Sequence, residues 1–516
     1  MKHNRDTDAA WLYHNLTKHS YQSIRADRHY LDWTNQPTPF KIYADIEPIP
    51  LPRSLVQTCA PALEVIASTG VEFSVEKKPD LARLASILYY SAGVTKHKTY
   101  PGGELYFRAA ACAGALYPTE IYVVCSDLDG LNAGVYHFNP GDFALRQLRE
   151  GDLRGVLSRA SGARQRVGSA PVTLVFTSMS WRSTWKYRDR AYRYHFWDNG
   201  MIVANALAMA TAHELPAEVV MGFVEVDMNK LIGIDGQQEL ALSLLALGHS
   251  NESLPDCQPI EELPEINFGV IPISQSPVDY SSILAIHEAS SFADADRVRE
   301  WRGVTFNSVI APIEGETMPL VLAADQDLPM DSIEDVIQRR GSTRRFARKP
   351  VPFADLSIII DRATRGFTVD FLQPDRRGLN DIYAIVNRVE GLSPGAYFYR
   401  SEDRALELLK PGDFSEKAAY LTLGQDLGGD ACATFFFMAD LKRVLESYGN
   451  RGYRAAQMEA GIVGGKMYLA SYALRRGATG LTFYDDDVTE FFSPHAAGKN
   501  CMLVVSVGIP GRRPLI

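Results

Sequence analysis

Cysteine is scarce in this chain of 516 residues, and the cysteines that occur are not paired. The sequence contains six of them, and no two stand in CxxC spacing. A disulfide framework is therefore not predicted, and we expect reduced thiols in a cytoplasmic protein. The histidines also lack the spacing of metal ligands, so the sequence predicts no metal centre.

Other features are missing as well. No apolar run approaches the length of about 18 residues that a membrane span needs, and residues 1–20 lack the apolar stretch of a signal peptide. We therefore expect neither membrane insertion nor export. The formal net charge of -9 argues against nucleic acid as a partner. No GxGxxG follows a predicted strand, so a Rossmann-type nicotinamide site is not indicated.

What the sequence does contain is a long internal repeat. The segment WKYRDRAYRY, residues 185–194, recurs as SYGNRGYR at residues 447–454. At an offset of 261 residues, Tyr187 aligns with Tyr448, whereas Lys186 aligns with Ser447. The same offset aligns residues 121–200 with 382–461 without a gap. The chain is therefore a tandem duplication of one domain of roughly 200 residues, not a solenoid of short repeats.

The repeat predicts the fold class and the domain organisation. Each copy has an amphipathic helix, several short strands and a long helix rich in small residues, so we predict an α+β fold whose central mixed or antiparallel sheet is flanked by helices. The predicted parts are an N-terminal arm (1–70), domain 1 (71–250), a linker with some helix (251–330) and domain 2 (331–516). We expect an intrachain pseudo-dimer, in which one of two equivalent interface sites is free to decay.

The two copies differ in two loops. Residues 339–346, RRGSTRRF, offer Arg340, Ser342 and Arg344 to a phosphate, because guanidinium groups pair with phosphate oxygens. At an offset of 273, copy one has none of these arginines. Copy one instead has RAAACAGALYP at residues 108–118, whose small residues allow a flat ligand to approach the backbone. The candidate ligand-binding residues in this loop are Arg108, Cys112, Ala113 and Gly114.

These motifs resemble those of a known family. RRGSTRRF is similar to the phosphate loop of the FMN-dependent nitroreductase superfamily. RAAACAGALYP and WKYRDRAYRYHFWDNG resemble segments of its SagB/ThcOx branch, the peptide azoline dehydrogenases. The resemblance implies FMN at a dimer interface, oxidation of thiazolines and oxazolines to azoles, and a role for Arg512 and Arg513 in holding the flavin phosphate. Cys112 and Met201 depart from the branch pattern, which has a serine and a histidine there.

Such an oxidation needs a base near the flavin. Hydride transfer to FMN leaves a proton to be removed from the adjacent carbon. Lys186 and Tyr187 are the candidates, because burial lowers the pKa of a lysine and a nearby cation favours a tyrosinate. Only Lys186 is specific to copy one. Arg190 and Arg193 recur in copy two, so we predict that they are structural and pair with interior carboxylates.

Three functions are compatible with the sequence. The first is an FMN-dependent dehydrogenase of azolines in a peptide or related natural product, with a modified peptide or small molecule as substrate and a cyclodehydratase as partner. The second is a nitroreductase-like reductase that takes electrons from NAD(P)H and passes them to small electrophiles. The third is a flavin-free protein that docks a peptide for another enzyme.

Overall fold

The computed structural model describes residues 4–68, 75–100, 103–254, 259–308, 312–373 and 378–511. The predicted flavin-binding residues Arg512 and Arg513 lie outside these ranges. Within them, no helix combines the length and the apolar composition that crossing a membrane requires.

Both domains are built on β-strands that alternate with helices. The strands of the first half are β1 (Ile49–Pro50), β2 (Val94–Tyr100), β3 (Gly103–Arg108), β4 (Thr119–Cys125), β5 (Gly134–Asn139), β6 (Ala144–Glu150), β7 (Val172–Met179), β8 (Ala217–Val220) and β9 (Glu239–Leu247). Those of the second half are β10 (Thr317–Pro319), β11 (Val351–Pro352), β12 (Asn380–Val386), β13 (Val389–Glu390), β14 (Gly395–Arg400), β15 (Ala405–Pro411), β16 (Ala433–Ala439), β17 (Gly477–Leu481) and β18 (Asn500–Gly508).

The two large sheets have the same topology. The order is β1-β6-β5-β4-β7-β9-β8 in domain 1 and β10-β15-β14-β12-β16-β18-β17 in domain 2. Every neighbouring pair within these sheets is antiparallel. The predicted α+β fold and tandem duplication are thus confirmed. The sequence left open whether the sheet is mixed or antiparallel, and the structure has the antiparallel type. A short parallel pair, β11 with β13, stands outside the sheets.

Helices cover the sheets and connect the strands. The helices up to the end of domain 1 are α1 (Asp8–Leu16), α2 (Tyr21–Ala26), α3 (Ala62–Ala67), α4 (Leu81–Ala92), α5 (Arg154–Ala160), α6 (Gln165–Ser169), α7 (Ser180–Tyr187), α8 (Ala191–Ala212) and α9 (Glu225–Ile232). The later helices are α10 (Ser281–Ala289), α11 (Ala295–Arg302), α12 (Ile333–Arg339), α13 (Phe353–Thr364), α14 (Ser415–Leu421), α15 (Asp426–Asp430), α16 (Leu441–Tyr448), α17 (Asn450–Ala473) and α18 (Asp485–Phe492).

Each large sheet gains one short edge strand from outside the predicted domain stretches. The short strand β1 lies within the predicted N-terminal arm, yet it pairs with β6 of the domain 1 sheet. Likewise β10 lies within the predicted linker and pairs with β15 of the domain 2 sheet. Both edge strands occupy the same place in their sheets, so the duplicated unit begins earlier than the motifs indicate. The helix expected in the linker is present as α10.

The long helices α8 and α17 form the centre of the interface between the domains. They cross where Gly200 of α8 meets Gly461 of α17, its equivalent at the repeat offset. A Cβ atom at Gly200 would lie 2.6 Å from the backbone carbon of Gly461. Only glycine permits this approach, because any side chain would collide with backbone rather than with a movable side chain. The helices are buried on nearly all sides, consistent with their lack of a polar face.

Two buried ion clusters join the domains. Arg190 and Arg193 of domain 1 bind the carboxylate of Asp485 of domain 2 at 2.9 and 2.6 Å. In the equivalent cluster with the domains exchanged, Arg451 and Arg454 of domain 2 bind Glu225 of domain 1. The prediction that the repeated arginines pair with interior carboxylates is therefore confirmed. Each carboxylate comes from the opposite domain, so the motif common to both copies maintains the pseudo-dimer.

Candidate active site at the domain interface

A cavity of about 300 Å³ lies between the domains and collects most of the predicted site residues. Domain 1 contributes the small-residue loop, the end of α7 and one face of α8. Domain 2 contributes the arginine-rich loop, the end of β17 and residues that follow it. The lining comprises Ala111, Cys112, Ala113, Gly114, Lys186, Tyr187, Tyr194, Trp197, Asp198, Met201, Ser342, Arg344, Gln425, Tyr468, Thr479, Gly480, Leu481, Thr482 and Leu503.

Asp198 on α8 holds the small-residue loop in place. Its Oδ1 atom accepts the backbone N–H of Ala113 at 2.8 Å, and its Oδ2 atom accepts the thiol of Cys112 at 3.2 Å. The Cys112 sulfur in turn accepts the backbone N–H of Tyr117 at 3.1 Å. Cysteine at position 112 thus takes part in the hydrogen bonding that fixes the loop. Burial raises the pKa of Asp198 to about 7, while the hydrogen bonds from the loop lower it.

Gly114 has a positive φ of 64° and lies against the hydroxyl of Tyr187. A Cβ atom at Gly114 would come within 2.7 Å of the Tyr187 oxygen, so the loop and the tyrosine fit together only with glycine there. The Tyr187 ring also stacks on Tyr194, with 4.4 Å between the ring centroids. These contacts make Tyr187 part of the cavity wall.

The pKa values of Lys186 and Tyr187 are shifted in opposite directions. Lys186 lines the cavity with its side chain partly exposed, and partial desolvation of its ammonium group together with the charge of Arg344 lowers its pKa. Burial, Tyr194, Asp198 and Cys112 instead raise the pKa of Tyr187 well above its ordinary value, outweighing the effect of Arg344. The charge of Arg344 thus favours the tyrosinate, as expected of a nearby cation, but burial of the hydroxyl outweighs it.

The arginine-rich loop of domain 2 serves the cavity in two ways. Arg344 and Ser342 line it directly. Arg340 is buried, and its guanidinium donates to the carbonyls of Ala109 and Arg108 at 2.7 and 3.0 Å. The geometry assigns Arg340 to joining the two loops across the interface, whereas a direct phosphate contact by this residue stays a prediction.

Arg108 is also directed away from the cavity. Its guanidinium donates to the backbone carbonyls of Pro39 and Thr119 at 2.7 and 3.3 Å. The residue fastens the N-terminal arm and the start of β4, and it is absent from the cavity lining. The structure thus brings together Lys186, Tyr187, Ser342 and Arg344 with Cys112, Ala113 and Gly114, but not Arg108 or Arg340.

Several lining residues were not found from the sequence. Tyr194, Trp197 and Asp198 project from the repeated segment toward the cavity, and their spacing of three to four residues on one helix was the available signal. Tyr468, Gln425 and residues 479–482 come from distant elements of domain 2. These latter residues have no motif that could have indicated them.

The residues of this cavity suit FMN. The guanidinium of Arg344 and the hydroxyl of Ser342 can donate hydrogen bonds to a phosphate, and the Arg344 side chain is exposed. The backbone at Ala111, Ala113 and Gly114 presents no large side chain to a flat ring system. No group of three potential metal ligands occurs in the described ranges.

Comparison with known proteins identifies the same two units. The family model described as the nitroreductase family matches residues 72–249 and 337–509. A crystal structure of a candidate nitroreductase from Anabaena variabilis covers 98% of this chain and 99% of its own, with 26% identity and a TM-score of 0.75. Both domains and their arrangement therefore have a counterpart in a solved structure.

Two relatives are processing proteins by name. The trifolitoxin-processing protein TfxB of Rhizobium leguminosarum bv. trifolii is 31% identical over 38% of this chain, and the match spans only 55% of TfxB. The microcin B17-processing protein McbC of Escherichia coli is 26% identical over 36% of this chain and 67% of its own length. Each match therefore covers the equivalent of about one domain.

Proposed function

Because the chain belongs to the nitroreductase family and is a nitroreductase-like oxidoreductase, we propose that it uses FMN to dehydrogenate azoline rings, yielding azoles in a ribosomal peptide or related natural product. The observation that carries this proposal is one cavity in which Lys186 and Tyr187 of domain 1 face Ser342 and Arg344 of domain 2. The names of TfxB and McbC, which process trifolitoxin and microcin B17, support a natural product such as a peptide as the substrate. A cyclodehydratase that forms the azolines is the proposed partner.

Ser342 and Arg344 would hold the phosphate of FMN, and the loop from Ala111 to Gly114 would lie along its ring. Arg340 supports this arrangement by fixing the loop of domain 1 to that of domain 2. Bound FMN would supply the hydride acceptor of the oxidation. Contacts of Arg512 and Arg513 with the phosphate remain a prediction.

Lys186 is the proposed base. The lowered pKa of its ammonium group increases the fraction of neutral amine, whose Nζ atom can take the proton released from the ring carbon. The raised pKa of Tyr187 favours its protonated form, whose hydroxyl can donate a hydrogen bond to the substrate but is a poor base. These pKa directions support Lys186 rather than Tyr187 as the base.

The proposal is tested by the flavin content of the purified chain and of two variants. We expect one FMN per chain, since the arginine-rich loop occurs in one copy only. Arg344→Ala should weaken FMN binding by about 1.5–3 kcal/mol, the contribution of a charge-assisted hydrogen bond. Arg345→Ala is the matched control, because this neighbouring exposed arginine does not line the cavity. Two FMN per chain, or equal retention by both variants, would contradict the assignment of the site.

A reductase of small electrophiles is the second candidate. It is favoured by the Anabaena variabilis structure, which covers both domains and is described as that of a candidate nitroreductase. Rapid NAD(P)H consumption with a quinone or nitroarene, in the absence of any peptide, would support this function. Oxidation of an azoline-containing peptide without added nicotinamide would support the dehydrogenase. A colourless protein that takes up no FMN would favour the flavin-free docking function.

A further inference from the structure

A second cavity, of about 440 Å³, occupies the position related to the first by the internal repeat. At the offset of 261 residues, Asp198 of the first cavity corresponds to Glu459 of the second, and Thr479 corresponds to Glu218. Gln425 and the pair Ala111–Cys112 likewise correspond to Arg164 and the pair Leu372–Gln373. The second site of the pseudo-dimer has therefore not collapsed, and it is larger than the first.

Among the described residues that line the second cavity, the cations are Arg164 and Arg166, and both lie beside the buried carboxylate of Glu218, with the Arg166 Nε atom 3.9 Å from it. In the sequence, Ala67 and Val71 occupy the positions that correspond to Arg340 and Arg344. Among the described lining residues, Arg164 is already bound to buried Glu218 through its Nε and Nη2 atoms, at 3.0 and 2.5 Å. A phosphate dianion would therefore have to compete with Glu218 for this guanidinium.

The other charged groups at the cavity are paired as well. Asp381 binds Lys499 at 2.7 Å. Glu459 accepts the backbone N–H groups of Leu379 and Asn380 at 2.8 and 2.9 Å, and burial raises its pKa to about 7. An ionic ligand would disturb these pairs, whereas a neutral ligand leaves them intact.

The walls of the second cavity suit a ligand that contains a ring. Apolar and aromatic side chains surround the space: Ala363, Phe367, Val369, Ile382, Phe437 and Val463. A flat ring would pack against these apolar walls.

We infer that this second cavity is a ligand site for a flat, uncharged, ring-bearing molecule without a phosphate. It is distinct from the proposed FMN site, with which it shares its position in the fold but not the equivalents of Arg340 and Arg344. The two halves of the chain would then bind two different ligands in equivalent places.

Riboflavin is the probe, because it has a flat ring and hydroxyl groups but no phosphate. The chain is first saturated with FMN and then titrated with riboflavin, and binding is measured by equilibrium dialysis. We expect one further riboflavin per chain that excess FMN does not displace. No riboflavin binding to the FMN-saturated chain, or its displacement by FMN, would overturn the inference. The FMN content recorded in the first step tests the proposed function separately.

Val463→Trp should fill the cavity and weaken riboflavin binding by about tenfold or more, while FMN content is unchanged. Arg344→Ala is the reverse control, which should lose FMN and keep the riboflavin site. If the tryptophan variant does not fold, Leu372→Glu places a charge in the same wall and should have the same effect. Riboflavin affinity that is unchanged in a folded cavity variant would contradict the assignment.

Discussion

The two domains share the residues that hold them together and differ in the residues that line their cavities. Each central helix has a glycine at the crossing, Gly200 or Gly461, and each domain directs two arginines to a carboxylate of the other. Each central helix also presents a carboxylate, Asp198 or Glu459, to backbone N–H groups of a nearby segment. The contacts that join the two domains are thus present in both copies.

The cavities are not constrained in this way. The first has Lys186 at its mouth and Arg344 in its wall, whereas the second has the Arg164–Glu218 pair. A change in these shared contacts alters packing for both domains, while a change in one cavity alters only that cavity. Duplication within one chain therefore allows the two sites to diverge without weakening the interface.

The largest expected effect comes from breaking a shared ion cluster. Asp485→Ala leaves Arg190 and Arg193 buried without their carboxylate, which should lower the free energy of unfolding by about 3–5 kcal/mol. Glu225→Ala should have a similar effect through Arg451 and Arg454. Urea unfolding of each variant measures the loss.

Asp486→Ala is the matched control, because this adjacent carboxylate is mostly exposed and pairs only with Lys18 among the described contacts. Its effect should be within about 0.5 kcal/mol. Equal unfolding midpoints for Asp485→Ala and Asp486→Ala would show that the buried cluster does not stabilise the interface.

A second effect, on the catalytic rate, should follow from a substitution in domain 1 but not from the equivalent one in domain 2. Lys186→Ala should lower kcat for azoline oxidation by about a hundredfold, since a positioned base contributes that much, while FMN content stays unchanged. The wild-type rate should rise with pH, with a midpoint below the ordinary lysine pKa because the pKa of Lys186 is lowered. This rise should be absent from the variant.

Ser447→Ala alters the equivalent position of domain 2 and should leave the rate and its pH dependence unchanged. Equal rates for the two variants would make Lys186 an ordinary exposed lysine. They would also favour the reductase, in which no protein base is needed.

The sequence was sufficient for the fold, because the fold follows from the repeat. Alternating apolar strands and the offset of 261 residues predicted two like domains and an interface site. The edge strands β1 and β10 were missed because two or three residues carry too little pattern to be recognised.

The roles of single residues were harder to predict. An arginine in a loop can bind a phosphate or a carbonyl, and only the folded chain shows that Arg340 binds the carbonyls of Arg108 and Ala109. The pKa of Tyr187 depends on burial against Tyr194, a contact set by packing of two helices. The size of the second cavity likewise results from packing, which the sequence pattern does not express.

The smallest expected effect concerns a feature that both domains retain. Burial raises the pKa of Asp198 and that of Glu459 to about 7, above the values of about 4 in an unfolded chain. A carboxyl group with a raised folded pKa stabilises the fold at low pH, and this contribution is lost as the pH rises toward 7. Asp198→Asn and Glu459→Gln remove the titrating group, so each variant should gain stability relative to wild type between pH 5 and pH 8.

The gain between pH 5 and pH 8 should be about 2–3 kcal/mol for each variant, since about two of these pH units lie below the folded pKa of about 7 and each corresponds to at most about 1.4 kcal/mol. Urea unfolding of the flavin-free proteins at both pH values measures it, and the difference between the two pH values cancels any hydrogen bond that the amide loses. A gain in both variants would show that the two carboxyl groups still have the same environment after the cavities diverged. A gain in Glu459→Gln alone would mean that Asp198 is ionised at neutral pH, because the N–H of Ala113 and the thiol of Cys112 stabilise its charge more than burial opposes it.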